Sequence, residues 1–270
     1  MKAYCNGKLI AIDSIEEILE PGFLFGWGVF ETLRVYSGKI VFLKEHLSRL
    51  KDGCEKIGLG FPALDFTAQI KKLLKENKLE NAYCRISLFK KRQGTGSIVY
   101  VAPFSYYENK EHQRGFRAIS APFVKYSQHP LVSVKAISYL ENRLAWKKAQ
   151  DKGRDEAIFL NEKGFLSEAS RSNLFFIKNK TFYTPSLECG MLNGITRQKV
   201  IMLIKKAGWH LREGRYKILS LLSADEAFLT SSLMEVMPLV EVDGRKISSG
   251  KPGLLTEQIH LQYNGLVKKS

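Results

Sequence analysis

The chain has 270 residues, 44% of them hydrophobic, enough to bury a sizeable core in one or two domains. Its formal charge is +15, but the lysines are spread over segments such as KKLLKENK, IKKAGW and LVKKS. That reads as solvated faces suited to small anionic ligands, and argues against a nucleic-acid track. No stretch approaches the ~20 apolar residues of a membrane span. MKAYCNGKLIAID lacks the apolar run of a secretory signal, so a cytoplasmic protein with no membrane partner is expected. Four scattered cysteines without a CxxC pair, and five scattered histidines without HExxH, argue against disulfide scaffolds and metal centres.

Along the chain, Asn6-Gly7 predicts a hairpin turn between AYC and KLIAI. Val29 to Tyr36 reads as a strand, Ser37-Gly38 turns it, and Lys39 to Leu43 returns. Leu43, Leu47, Leu50, Cys54 and Ile57 have helical spacing and define one buried stripe. Arg49 falls about 110° from that stripe's centre, off the core. A second helix is expected over Phe66 to Asn77, then strands Ala82 to Phe89 and Ser97 to Phe104 joined by KKRQGTG. The polar run YENKEHQRG, 107–115, is the candidate linker, dividing the chain into residues 1–112 and 113–270.

Beyond it, Arg117 to Val124 reads as a strand, and a helix is expected from Ser138 to Asp151 with Gly153 as its stop. Strands follow at Asp155 to Asn161, Gly164 to Glu168 and Asn173 to Ile177, the last pairing with Lys180 to Thr184 through Lys178-Asn179. Thr196 opens an amphipathic helix, Ala227 to Ser231 is a short strand, and Pro252 to Val267 a terminal helix. Strands grouped in hairpins with helices appended predict an α+β protein. No internal repeat and no Gly-rich dinucleotide motif after a strand is present.

Four places could carry chemistry. Lys135 follows the apolar VSV, which would desolvate its amine and lower its pKa, although taken alone it reads as an ordinary solvated lysine. Glu168 closes the apolar GFLSEAS; it is either an exposed hairpin carboxylate or one that must find a buried partner. Asn193-Gly194-Ile195-Thr196-Arg197 precedes a helix and offers either a phosphate seat or a plain Thr N-cap. Thr230-Ser231-Ser232 either supplies further donors or simply ends its strand.

Five blocks then settle a resemblance: FGWGVFETLRVYSGKIVFLKEHLSRL, VKAISYLENRLA, DEAIFLNEKGFLSEASRSNLFFIK, YTPSLECGMLNGITRQ and DEAFLTSSLMEVMPL. In order and spacing, over roughly residues 22–245, they resemble the fold-type IV pyridoxal-phosphate family of branched-chain and D-amino-acid aminotransferases and 4-amino-4-deoxychorismate lyase. The resemblance implies a two-domain α+β fold, pyridoxal 5'-phosphate in the interdomain cleft, a homodimer, and a small anionic amine as substrate. It implies Lys135 as the Schiff-base lysine and Tyr139 as a contact of the cofactor's phenolic oxygen. Glu168 would partner the pyridine nitrogen, and Leu192 would pack on the ring. Arg49, Ile195, Thr196, Ser231 and Ser232 would hold the phosphate, with Phe30, Thr32 and Arg85 facing substrate.

Within the family, VFETLRVYSGK, Asn193 in LNGITRQ, and TSSLMEVMPL resemble the lyase, which eliminates pyruvate to leave 4-aminobenzoate, a step of folate biosynthesis. Tyr83-Cys84-Arg85 instead resembles a branched-chain aminotransferase motif, and KAISYL matches neither subgroup. A class IV transaminase is therefore the alternative expectation.

Overall fold

The computed structural model describes residues 1–104, 107 and 109–269. A small hairpin opens the chain: β1 (Lys2–Cys5) pairs antiparallel with β2 (Lys8–Ala11), and Asn6 and Gly7 both take positive φ, as a tight hairpin turn needs. A 3₁₀ segment (Ile12–Leu19) and the short α1 (Pro21–Leu24) follow; neither was foreseen.

The first sheet has the order β4-β3-β5-β6, from β3 (Gly28–Tyr36), β4 (Lys39–Ile40), β5 (Ala82–Lys90) and β6 (Thr95–Pro103). The predicted return strand to Leu43 stops at Ile40. Phe42 adopts left-handed backbone (φ 50), and α2 (Leu43–Lys56) begins directly after it. In α3 (Phe66–Glu76) the Asp65 side chain accepts from Ala68 N at 2.9 Å, so the helix starts with a satisfied cap. Val29, Leu33 and Val35 of β3 pack with Leu50 and Cys54 of α2 and Ile70 of α3 in one core. The opposite face of β3 carries Phe30 and Thr32.

The segment predicted as a linker is partly helical. Glu108 lies outside the described residues, and α4 (Asn109–Arg114) occupies the rest up to Gly115. The second sheet runs in the order β12-β11-β10-β13-β14-β7-β8-β9. These are β7 (Phe116–Ser120), β8 (Glu156–Leu160), β9 (Leu166–Ala169), β10 (Asn173–Lys178), β11 (Thr181–Pro185), β12 (Leu211–Gly214), β13 (Glu226–Ser231) and β14 (Glu235–Val242). The two-residue β15 (Arg245–Lys246) pairs with β14. Only Ser170–Ser172 separates β9 from β10, so the sheet curls into a half-barrel around Ile158, Leu166, Leu174, Phe176, Leu229 and Met237.

Its outer face is covered by α6 (Ile195–Lys206) and α8 (Leu254–Lys269), which pack on Phe175, Phe228 and Val236. Helix α5 (Leu140–Asp151) lays Ala145 and Ala149 on Ala157 and Phe159, and α7 (Ile218–Leu222) closes the end. The β7 strand ends at Ser120, short of the expected Val124. The β10–β11 turn is centred on Asn179-Lys180, one residue beyond the expected pair, with both residues at positive φ. Together the two halves form a two-domain α+β protein.

One irregular segment joins the halves. Phe30 N donates to Lys135 O and Ile137 N to Gly28 O, both at 2.9 Å, so residues 135–137 run beside β3. This needs glycine at 28: a Cβ there would lie 2.5 Å from Ile137 Cδ1 and from Leu88 O.

Candidate active site

A cleft of about 680 Å³ is lined from both halves, and the twelve residues to which the resemblance gives a role all border it, whereas Asn193 and Arg197 of the candidate phosphate seat do not; Arg197 turns instead to Pro185 O and Glu213. The β3–β5 register sets Thr32 opposite Arg85, with Phe30 on the same face. The Phe30 ring is shared by two cations, with Arg85 Cζ 3.8 Å and Lys135 Nζ 4.6 Å from its centroid. Arg85 Nε donates to Ser87 Oγ at 3.1 Å, and its terminal nitrogens have no hydrogen-bond partner among the described residues. They face an open cleft.

The backbone pairing with β3 fixes Lys135. Its Nζ makes no hydrogen bond or ion pair among the described residues; the Tyr139 ring lies 5.7 Å away. Cleft walls enclose the amine although some of its surface still meets solvent. Burial first, then the Arg49 guanidinium, pushes it down to about 8, against the opposing pull of Glu31 and Glu168. It can therefore shed and regain a proton near neutrality. Tyr139 stacks edge-on against Phe30 at 5.5 Å, and its hydroxyl donates to Ser170 O at 2.7 Å. The tyrosine thus borders the cleft with its proton already engaged.

Glu168, on β9, is 5% exposed, which excludes the exposed-hairpin reading. Its Oε2 accepts from Leu192 N at 3.1 Å and Asn173 Nδ2 at 3.2 Å, while Oε1 pairs with Lys125 Nζ. Asn173 also donates to Leu192 O at 2.8 Å, so Leu192 is pinned through its backbone.

The other end of the cleft gathers donors. Gly194, not Thr196, caps α6, and no side chain caps it, so first-turn N–H groups of Ile195 and Thr196 remain available. Thr196 Oγ1 lies 3.3 Å from Tyr263 Oη inside the protein. Ser231 ends β13 and Ser232 follows it, and beside them the buried Thr230 Oγ1 has no hydrogen-bond partner among the described residues. Arg49 reaches the same end from α2; its Nη1 donates to Asn193 O at 3.2 Å.

Beneath Arg49 lies a buried carboxylate that sequence reading missed. Glu31 is fully buried; it accepts Arg49 Nε (2.7 Å) and Nη2 (2.8 Å), and lies 2.7 Å from His46 Nδ1. Burial alone would raise the Glu31 carboxyl, but the Arg49 guanidinium and then the His46 imidazole hold it down to about 2. A signal was present. Val29, Glu31, Leu33 and Val35 alternate onto the core face, so Glu31 is a charge where an apolar residue belongs. His46 likewise falls inside the apolar stripe, three residues after Leu43 and four before Leu50. Lys125 and Asn173 carried no comparable local signal.

The scattered histidines do meet once. His112, Glu235 and His260 bring possible ligand atoms within 4.8 Å of one another, and none of the three borders the cleft. The two rings stack face to face at 4.4 Å, so their nitrogen lone pairs run side by side rather than converge on one ion.

Fold and cleft together are those of a fold-type IV pyridoxal-phosphate enzyme. The chain belongs to the family described as amino-transferase class IV, whose model matches residues 28–242. It is 33% identical to the D-alanine aminotransferase of Bacillus licheniformis, covering 96% of this chain and 94% of that protein. It is 30% identical to the aminodeoxychorismate lyase of Bacillus subtilis, covering 98% and 94%. The solved branched-chain aminotransferase of Escherichia coli superposes with a TM-score of 0.86 at 26% identity, over 97% of this chain and 93% of that one.

Pyridoxal 5'-phosphate fits the donor set on this chain's own terms. An unpaired amine sits midway, and a buried carboxylate faces one end. At the other end an uncapped helix start, Arg49 and the unsatisfied Thr230 hydroxyl await an anion.

Proposed function

We propose that this enzyme eliminates pyruvate from 4-amino-4-deoxychorismate, leaving 4-aminobenzoate. The observation that carries the reading is the Lys135 amine, unpaired among the described residues and held near neutrality, sharing the Phe30 ring with an Arg85 guanidinium whose terminal nitrogens have no partner among those residues. A base and a carboxylate clamp on one ring suit a substrate with an amine on one carbon and a carboxylate close by. A second guanidinium, Arg143 of α5, borders the same cleft from the other half, which suits a substrate with two carboxylates. The sequence features shared with the lyase point the same way.

When bound, pyridoxal phosphate supplies an aldehyde for Lys135 and a protonated ring that takes up electrons released at the substrate carbon. Arg49, the Ile195 and Thr196 amides, Ser231 and Ser232 would hold its phosphate, and Leu192 would pack on its ring. Glu168 holds the proton on the ring nitrogen, with Lys125, Asn173 and the Leu192 amide keeping its carboxylate in place. Arg85 and Thr32 orient the substrate carboxylate. Lys135 Nζ then removes the proton from the carbon bearing nitrogen. In the lyase reaction the neighbouring C–O bond breaks, its electron pair leaves with the enol of pyruvate, and a proton returned from Lys135 Nζ completes pyruvate. Aromatisation of the ring drives that departure.

A second reading is transamination of a D- or branched-chain amino acid, favoured by the 33% identity to a D-alanine aminotransferase. The 30% identity to the lyase is too close for identity alone to choose. The test is incubation with aminodeoxychorismate, assaying 4-aminobenzoate and pyruvate, beside D- and L-amino acids with 2-oxoglutarate. Aromatic product is expected; rapid keto-acid formation without it reverses the assignment.

Arg85→Gln should raise KM about 10- to 100-fold, the worth of a charge-assisted contact to a carboxylate, and leave the cofactor's absorbance unchanged. An unaltered KM removes Arg85 from the substrate site.

A further inference from the structure

We infer that His46 takes up a proton when the cofactor's phosphate binds and, doubly protonated, turns the Ser232 hydroxyl toward that phosphate. The inference rests on reading the cleft as a pyridoxal-phosphate site.

The argument is an inventory of protons. Glu31 is ionised and can only accept, so His46 Nδ1, 2.7 Å from its Oε2, carries a proton. The other ring nitrogen, Nε2, lies 3.3 Å from Ser232 Oγ. If Nε2 is bare, it accepts the only proton Ser232 owns, and the serine presents lone pairs to the cleft. If Nε2 is protonated, it donates to Oγ and frees the hydroxyl proton. A bound phosphate offers acceptors only and carries about −1.5 to −2 charges at pH 7. Only the second arrangement lets Ser232 donate to it without leaving the buried Nε2 unpaired.

Each charged group next to the imidazole is itself paired. His46 is 1% exposed. Glu31 faces it from β3, and Arg49, one turn further along α2, offsets that charge. Glu45, its neighbour on α2, is ion-paired with Lys199 of α6. Ser232 approaches from the β13–β14 turn and is uncharged. With these pairs balanced, an arriving phosphate is the uncompensated charge, and it favours the cationic imidazole. His46 is thus a positioning residue, acting through Ser232.

The test is calorimetric binding to the full chain freed of cofactor, near pH 7.5, in buffers of different ionisation heat. Pyridoxamine 5'-phosphate and pyridoxamine are the probes; neither bears an aldehyde, so Lys135 forms no bond with them. The phosphorylated probe should take up about one proton more than the other. His46→Gln should abolish that difference and weaken pyridoxamine 5'-phosphate about tenfold, leaving pyridoxamine within about twofold. Ser232→Ala should reduce it, because a protonated Nε2 then loses its acceptor while the phosphate's charge remains, which covers the case of a His46 variant that fails to fold. In the wild-type chain, ¹⁵N spectra should show both His46 nitrogens protonated once the phosphorylated probe is bound. Equal proton counts for the two probes, or a difference that survives undiminished in either variant, overturns the inference while leaving the cofactor site standing. Failure of the folded chain to bind pyridoxamine 5'-phosphate overturns the cofactor site itself, and the inference with it.

Discussion

Replacing Lys135 with alanine is expected to lower turnover by at least about 10³- to 10⁴-fold, because in the proposed mechanism one amine both anchors the cofactor and moves the substrate proton. Borohydride treatment of the wild-type enzyme should fix the cofactor's mass on the peptide containing Lys135, and the variant should yield none. Undiminished turnover in the variant, or cofactor fixed to another lysine, sinks the assignment. The same amine has a measurable cost in the cofactor-free protein. Its pKa is pushed from 10.5 down to about 8, so folding disfavours the ammonium form. The penalty is complete below pH 8 and disappears as the pH rises from 8 through 10.5. Lys135→Met should therefore stabilise the cofactor-free chain at pH 7 by up to about 3 kcal/mol, reduced by whatever water in the cleft screens. The gain should vanish near pH 11. A methionine variant that is less stable at pH 7 would show that the amine is not confined as described. Strain of this kind, held where chemistry is done, is what a functional site costs a fold.

Where sequence reading succeeded and failed follows from the range of the forces involved. The Asn6-Gly7 hairpin, strand Val29 to Tyr36 and the stripe from Leu43 to Ile57 were legible because turn chemistry and periodicity act over a few residues. Strand β14 was not read at all. Pro238 sits within it, and a proline argues against an interior strand, yet β14 pairs on both sides and absorbs a register shift between Leu239 and Glu241. The return strand was carried too far, to Leu43 instead of Ile40, because Phe42 takes a left-handed backbone, which the local sequence does not announce for a bulky aromatic residue. Among site residues, Lys135 and Glu168 stood out only once the five blocks were taken together. The partners that hold Glu168 come from as far as Lys125, 43 residues away, and such contacts leave no local pattern. Glu31 was different: its place on an alternating apolar strand marked it, and the mark was overlooked.

Glu31→Gln is expected to destabilise the cofactor-free protein by about 3 kcal/mol at pH 7, since it strands Arg49 and a buried histidine without their shared anion. The pH dependence identifies the cause. The carboxyl is held down from 4.5 to about 2, so its ionised form contributes about 3 kcal/mol, present above pH 4.5 and lost as the pH falls through 2. Urea unfolding of both proteins should show the wild-type advantage intact at neutral pH, shrinking below pH 4.5 and nearly gone at pH 2. An advantage that does not change over that range would mean packing, not charge, is responsible. Saturating pyridoxal phosphate should recover part of the loss, because Arg49 then meets a second anion. Affinity should still fall, since Glu31 grips Nε and Nη2 and thereby aims the remaining edge of the guanidinium before any ligand arrives. A carboxylate beneath an arginine proposed to bind phosphate would be mere repulsion if it touched the phosphate. Set one layer down, it lets a buried cation exist without ligand and spends none of the ligand's binding energy on orienting it.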